Sequence, residues 1–488
     1  MQVAFIAAGA LAGYVWNRRQ AAARAQARFY ELASGRAPGA RVAVVGAGFA
    51  GLAAAAELGR AGIEGQPVIP ILIDRNNFHL FTPLLYQVAT GGVEPGHITY
   101  PTRFIARDQG LLFRESELRG VDLQRKRLVL DDGTLDYDYL ILALGSIPNF
   151  FGMADVARHT ISLKWTGDAV EIHNRIVDAF ERADLERDPA RRRELLTFVV
   201  VGGGSTGIEF VSSLYDVIHR VLLQDYPTIR AEDVRLMLVE GKDQLLPGGD
   251  PRMSARVLRR LREQRIEVLL NTVVAGAAEG SIRTRDGRAI SAGTIIWTAG
   301  VKAPDLTEQL PTPRARDGRL QVNRYLELPE HPDVYAVGDL AYFVDPGTGR
   351  PLPPNAQVAI QEGKAAAANV VRQLRGESPR PFVYRPVDDV VSLGQTRAIA
   401  DLFGIVFDGF PAWLIRRTIY VANLVGYKNR LDVLLDWIAD FFHRANAARI
   451  EYSRRLELLP AVAEPPRRQQ SRGQPPAEQP PEEERPAA

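Results

Sequence analysis

The chain has 488 residues, about three times the ~150-residue prior for one domain, so two or three domains and a large core are expected. Hydrophobic residues make up 46% and charged residues 24%, with 60 Lys+Arg against 58 Asp+Glu for a formal charge of +2; this excludes disorder throughout and gives no sign of a nucleic-acid partner. There is no cysteine, which excludes disulfides, thiolate metal sites, iron–sulfur clusters and thiol redox pairs, so any redox chemistry must come from a bound cofactor.

The apolar run Val3 to Trp16 is shorter than the ~20 residues of a spanning helix. Arg18 and Arg19 follow it rather than precede it, the wrong order for a cleaved signal peptide. Residues 1–38 therefore read as an N-terminal extension, with a polar Ala/Arg-rich helix from Gln20 to Arg36. Beyond it, Gly-punctuated apolar strands alternate with Ala- and Leu-rich helical stretches, the pattern of parallel sheets with crossover helices. The fold class is α/β.

Val42 to Val45 runs into Gly46, Gly48 and Gly51 at G-x-G-x-x-G spacing and then into a helix; Phe198 to Val201 does the same with Gly202, Gly204 and Gly207. In such a loop the first glycine allows the turn, the second lets backbone approach a pyrophosphate, and the third lets the helix pack on the strand. The helix N-terminus then faces the anion. Each loop is followed by a strand ending in an acid: Asp74, 23 positions after Gly51, and Glu240, 33 positions after Gly207. A longer helix and a loop at Pro227 absorb the longer interval. Both acids are candidates to hold ribose hydroxyls, and a carboxylate at Glu240 repels a 2′-phosphate, so the second site is expected to prefer NADH over NADPH. Two dinucleotides are expected.

The stretch Gly203-Gly204-Ser205-Thr206-Gly207 also matches the G-x-S-x-G elbow of serine hydrolases, with Asp305 and His331 downstream in the required order. That reading leaves the first loop and Asp74 without a task. The seven histidines, His79, His97, His159, His173, His219, His331 and His443, are scattered without H-E-x-x-H, and no metal site is expected.

Near the C-terminus, Leu431, Leu434, Leu435, Ile438, Phe441 and Phe442 follow helical spacing while Asp432, Asp436 and Asp440 lie on another face, so an amphipathic helix is expected. Pro411 to Tyr427 adds a second apolar stretch containing Arg416 and Arg417, and Trp413 and Trp437 suit the headgroup level of a bilayer. Between residues 411 and 455, eight Arg and Lys meet four Asp and Glu, so basic residues concentrate where apolar ones do, as docking on anionic lipid requires. Residues 461–488, rich in Pro, Gln, Arg and Glu, read as a disordered tail.

With both loops, and with Leu140 to Gly145, Ile295 to Gly300 and Val334 to Asp339, residues 40 to 385 resemble the flavoproteins in which an FAD domain carries an inserted NAD(P)H domain. The resemblance implies an FAD-binding domain in two segments, 39–160 and 304–385, an NADH-binding domain at 161–303, and a membrane-association domain at 386–460. It places Gly145 and Asp339 on FAD and Gly300 on NADH. The absent cysteines remove the thiol-dependent branches.

The chain further resembles the type II, non-proton-pumping NADH:quinone oxidoreductases. Three stretches carry this: Asn77 to Gly91, containing Phe78-His79-Leu80-Phe81-Thr82-Pro83-Leu84-Leu85-Tyr86-Gln87; Ala356-Gln357-Val358-Ala359-Ile360-Gln361, which matches A-Q-x-A-x-Q; and Gly426-Tyr427-Lys428-Asn429-Arg430-Leu431. The resemblance implies Pro83 beside the flavin, Gln357 against the FAD and, with Gln361, in a quinone pocket. It sets Glu209 between the nicotinamide and flavin side and the quinone, orienting the amide of NADH or relaying a proton, and Lys428 near the quinone headgroup or feeding it protons. The implied protein holds FAD noncovalently, takes hydride from NADH and passes two electrons to a membrane quinone. It would dock peripherally on the lipid bilayer surface at the cytoplasmic side of the cell (inner) membrane, with a homodimer left open. The alternatives are a soluble NADH-dependent reductase of ferredoxin, rubredoxin or oxygen, whose C-terminal helices form a dimer interface, and a nucleotide-sensing scaffold without turnover.

Overall fold

The computed structural model describes residues 20–35, 37–386, 389–394, 396–402, 404–442 and 448–450. The apolar run at 3–16 and the tail at 461–488 lie outside the described residues. A helix over 20–33 buries Ala25 and Leu32, and Arg28 donates from Nη2 to the Val68 carbonyl at 2.9 Å.

The first strand, β1 (Ala40–Val45), is apolar on both faces, as a central parallel strand must be. Its alternate residues feed two separate cores: Val42 and Val44 pack under α1 (Phe49–Ile63), while Ala43 and Val45 pack with Leu128 and Leu140 on the other side. The sheet continues through β2 (Val68–Asp74), β3 (Leu112–Glu115) and β4 (Tyr139–Leu142), with Val45 in parallel register with both Ile73 and Leu142.

The chain then leaves for a second, wholly parallel sheet. It is built from β5 (Ile161–Ser162), β6 (Thr197–Val201) leading into α2 (Ser205–Val217), β7 (Arg235–Val239), β8 (Glu267–Leu269) and β9 (Thr294–Trp297). Its strand order is β5-β9-β6-β7-β8. The chain returns to the first sheet with β10 (Glu327–Leu328) and β11 (His331–Ala336), which completes the order β10-β11-β4-β1-β2-β3. The second sheet is thus inserted between successive strands of the first.

Helix α3 (Ala356–Leu374) lies against α1, and a Cβ on its Gly363 would collide with the Ala50 carbonyl oxygen. Only glycine permits so close a crossing. An antiparallel sheet follows, β12 (Asp389–Ser392), β13 (Ala398–Leu402) and β14 (Ile405–Gly409), and then α4 (Phe410–Asn423) and α5 (Tyr427–Phe442).

The amphipathic helix expected from 431 onward forms, but most of its apolar stripe faces away from the protein. Asn429, Val433 and Trp437 are the buried side, and Asp436 faces the protein with its Oδ2 at 2.6 Å from His97 Nδ1. Leu431, Leu435 and Ile438 remain 57%, 53% and 54% exposed. Trp437 differs from the expectation of a headgroup-level ring: it is buried, because the protein offers its indole N–H an acceptor, Gln87 Oε1 at 2.8 Å. Arg417 lies over both the Trp413 and Trp437 rings, at 4.2 and 4.3 Å, and this cation–π contact ties α4 to α5. Among the described residues no helix is long and apolar enough to cross a membrane.

Candidate active site

Both glycine loops close in the same manner. A Cβ on Gly46 would strike the Ala143 carbonyl and one on Gly51 the Gly46 carbonyl; in the second loop, Gly202 meets Thr298 and Gly207 meets the Gly202 carbonyl. Gly46 also holds φ +110°, a turn that side-chain-bearing residues resist. Around the middle glycines, Gly48 and Gly204, nothing lies within 4 Å of a would-be Cβ. Protein thus packs on the first and third glycines of each loop and leaves the second facing open space, a cradle that fits a dinucleotide pyrophosphate at the starts of α1 and α2.

Asp74, at the end of β2, accepts from Ala47 N at 2.6 Å and Asn76 N at 2.7 Å. Glu240, directly after β7, repeats the pattern with Gly203 N at 2.6 Å and Lys242 N at 2.8 Å. Each acid therefore braces its own loop with one N–H per oxygen and keeps lone pairs for ribose hydroxyls. Burial pushes the Asp74 carboxyl up against the pull of its two N–H donors. Gly145 and Gly300 lie on the turns after β4 and β9.

Asp339 Oδ2 accepts from Ser146 Oγ at 2.6 Å, and Lys164 Nζ sits 2.9 Å from that hydroxyl and 3.7 Å from the carboxylate. Glu362, on α3 and fully buried, accepts from Gly338 N at 2.6 Å; burial pushes it up to about 8, with the Gly338 N–H opposing and the neighbouring Asp339 charge adding. Sequence reasoning missed Lys164 and Glu362; the only signal for Glu362 was its place directly after Gln361.

The segment 77–91 is fastened to the first loop by His79, which is buried with Nδ1 2.9 Å from the Ala47 carbonyl. Burial lowers its basicity, so the neutral ring donates from Nδ1. Pro83 stands in the short turn Thr82–Leu84 that follows.

Glu209 lies in the first turns of α2 and is buried. Its Oε1 accepts from Arg416 Nε at 3.1 Å, Arg416 Nη2 at 2.8 Å and Ser392 N at 2.9 Å. Arg416 comes from α4, is itself buried, and lies over the rings of Tyr420 at 4.0 Å and Tyr86 at 5.4 Å. Burial pushes the Glu209 carboxyl up, and the Arg416 charge pulls against it. This corrects the expectation that Arg416 belongs to a basic surface: two tyrosine faces and a carboxylate make a buried site that a guanidinium can satisfy.

The remaining expected residues separate. Gln357 is half-buried and its amide has no hydrogen-bond partner among the described residues. Gln361 is occupied by backbone, donating to the Arg385 carbonyl at 2.9 Å and accepting from Arg385 N at 3.0 Å. Lys428 is exposed and paired with Asp432, one turn along α5, at 2.6 Å, and no hydrogen bond links it to Glu209 or the glutamines among the described residues. No hydrolase constellation is assembled either: Asp305 pairs with Lys302 at 2.7 Å, and among the described residues no hydrogen bond joins Ser205, Asp305 and His331.

Residues 40–363 match the family model of pyridine nucleotide-disulphide oxidoreductases. The chain is 34% identical over 417 residues to the type II NADH:quinone oxidoreductase Ndh of Mycobacterium tuberculosis, covering 82% of this chain and 88% of that protein. It is 29% identical over 384 residues to the type II NADH:quinone oxidoreductase of Staphylococcus aureus, covering 78% and 94%. In fold it is similar to NDH2 from Plasmodium falciparum in complex with NADH, at TM-score 0.77 and 19% identity over 84% of this chain and 99% of that one.

Proposed function

Because the chain belongs to the type II NADH:quinone oxidoreductases, we propose that the residues gathered above share one electron route from NADH to a lipid-dissolved quinone. The enzyme depends on FAD, is reduced by NADH and reduces a quinone, and enzymes of this family are membrane-associated. The family sets aside the soluble-reductase, scaffold and hydrolase readings.

FAD, once bound, supplies the two-electron carrier that a chain without cysteine lacks. The loop Gly46 to Gly51 holds its pyrophosphate, Asp74 its ribose, and Asp339, kept in place by Ser146, Lys164 and the Glu362-braced turn, its ribityl side. Gly202, Gly204, Gly207, Glu240 and Gly300 hold NADH, with the Glu240 charge disfavouring a 2′-phosphate. Gln357 offers an unoccupied amide to a quinone carbonyl, and Glu209 orients the nicotinamide amide or keeps a proton beside the quinone.

The observation that carries the route is the Glu209–Arg416 pair: the helix pair that exposes Leu431, Leu435 and Ile438 outward sends Arg416 inward to the acid of the NADH loop. A helix that buries Val433 and Trp437 against the protein and still leaves Leu431, Leu435 and Ile438 more than half exposed offers an apolar stripe that lipid can cover. With NADH as donor, that surface docks on the cytoplasmic side.

Two measurements test this. Anaerobic NADH should bleach the yellow purified protein, and menadione should restore its colour; bleaching without recovery defeats quinone reduction. In flotation with anionic phospholipid vesicles the native chain should rise, and Leu431→Glu with Leu435→Glu should remain at the bottom while still reducing menadione. Flotation of that variant, or a soluble native dimer that the two substitutions dissociate, would give the face to something other than lipid.

A further inference from the structure

One hydrogen-bond chain runs from the outward-facing helix to the buried pair with a fixed polarity. Trp437 of α5 donates its indole N–H to Gln87 Oε1 at 2.8 Å. An indole nitrogen can only donate, so this contact decides which end of the Gln87 amide faces it. The other end, Nε2, then reaches the Tyr86 hydroxyl oxygen as a donor at 2.9 Å. Tyr86 is thereby an acceptor toward Gln87, and its own proton finds no acceptor among the described residues.

That is unusual for a side chain only 3% exposed, since buried hydroxyls are ordinarily satisfied. The group on the other side of the ring, the Arg416 guanidinium, can only donate, and Glu209 Oε1 already accepts from Arg416 and Ser392. The short helix Leu85–Ala89 is held from the opposite flank as well. Thr90 Oγ1 bonds the Tyr86 carbonyl at 3.0 Å and Ser213 Oγ of α2 at 2.8 Å. With Gln87 and Arg416 both on the donor side, the phenol is left to donate its own proton to an acceptor brought in beside Glu209.

Resting on the quinone reading above, we propose that Tyr86 donates its hydroxyl hydrogen bond to a carbonyl oxygen of the quinone headgroup, and that Gln87, fixed by Trp437, is the positioning residue that turns this proton outward. Tyr86 is then a ligand-contacting residue and Gln87 acts through it.

The test measures two half-reactions in the same stopped-flow series: reduction of the yellow protein by NADH, as reference, and its reoxidation by menadione. Tyr86→Phe should lower kcat/KM for menadione about tenfold, mostly in KM, with little pH dependence of the loss. Gln87→Glu keeps the size and both contacts, but a carboxylate accepts from Trp437 and from Tyr86 and so turns the phenol proton inward. Its menadione step should fall as far as that of Tyr86→Phe at about pH 8 and recover progressively as pH is lowered to about 4, where a carboxyl with the ordinary glutamate value of about 4.3 becomes mostly protonated and donates as the amide did.

The charged and titratable groups around this position are Arg416 and Arg417 of α4, Glu209 of α2, Tyr420, and the His97–Asp436 pair at α5. Ratios of variant to native rate at each pH cancel their shared titration. An unchanged menadione step in Tyr86→Phe, or a loss in Gln87→Glu equal at both pH values, overturns the proposal. A native protein that NADH bleaches and menadione cannot reoxidise instead removes the quinone reading on which it rests.

Discussion

Replacing Arg416 with Met removes the cation that Glu209 Oε1 binds through two nitrogens, at 2.8 and 3.1 Å, and leaves the carboxyl buried with the Ser392 N–H alone. Breaking a buried pair this way costs about 3–5 kcal/mol if the remaining charge persists. Glu209 has an escape, because it can take up a proton. From its ordinary value of 4.5, that uptake costs about 1.4 kcal/mol per pH unit, or about 3 kcal/mol at pH 7. The direction is set by Arg416 being a lowering influence: without it the folded-state value of Glu209 rises further above the unfolded one. The stability of the protonated form is then complete below pH 4.5 and drains away as pH rises toward the new folded value. For a unit of more than four hundred residues, about 1 kcal/mol corresponds to roughly 1 °C in midpoint. At saturating FAD, the thermal midpoint of Arg416→Met should therefore fall more than that of the native chain between about pH 5 and pH 7, by at most ~3 °C, because the native carboxyl is already raised and shares part of this pH dependence. Adding Glu209→Gln, which abolishes the charge, should erase that pH-dependent part. A deficit equal at both pH values, or no recovery in the double variant, would refute the reading of Glu209 as a buried charge held by Arg416.

Glu362, pushed up to about 8 from 4.5, favours the fold fully below pH 4.5 and loses that contribution as pH climbs to about 8. Glu362→Gln keeps an acceptor for Gly338 N, so its midpoint should be flatter across this window than the native one, and an unchanged slope would mean that Glu362 is ionised in the fold. Gly51→Ala places a methyl on the Gly46 carbonyl and should yield colourless protein; Gly207→Ala does the same to the Gly202 carbonyl and should yield yellow protein that NADH no longer bleaches. Glu240→Gln removes the charge that faces a 2′-phosphate, and the ratio of kcat/KM for NADPH over NADH should rise about tenfold. An unaltered ratio would place nucleotide discrimination elsewhere.

What could be read from the chain was what neighbouring residues dictate. The run Val42 to Val45, its glycines and the acid at Asp74 constrain each other within one strand–loop–helix unit, and the same holds for Phe198 to Glu240. Helical spacing likewise revealed α5 but not which side turns inward, because periodicity defines a face without naming what covers it. Trp437 was read as a headgroup ring on those grounds, whereas Gln87, 350 positions away, supplies its acceptor inside the protein. Lys428 and Gln361 stood in matching motifs, yet Asp432 and the Arg385 backbone occupy them. Glu362 and Lys164 carried no motif at all, since their partners Gly338, Ser146 and Asp339 are assembled by the sheet and by the crossing of α1 and α3.

The amino-acid order by itself determined two nucleotide loops, the acids that brace them and an apolar stripe near the C-terminus, each a matter of short-range backbone geometry. The tertiary fold alone decided that Arg416 meets Glu209 across 207 residues and that the stripe faces outward. A lone cation in a sequence has no sign of burial. Its environment is made by distant tyrosine rings and a carboxylate whose desolvation only the assembled protein sets.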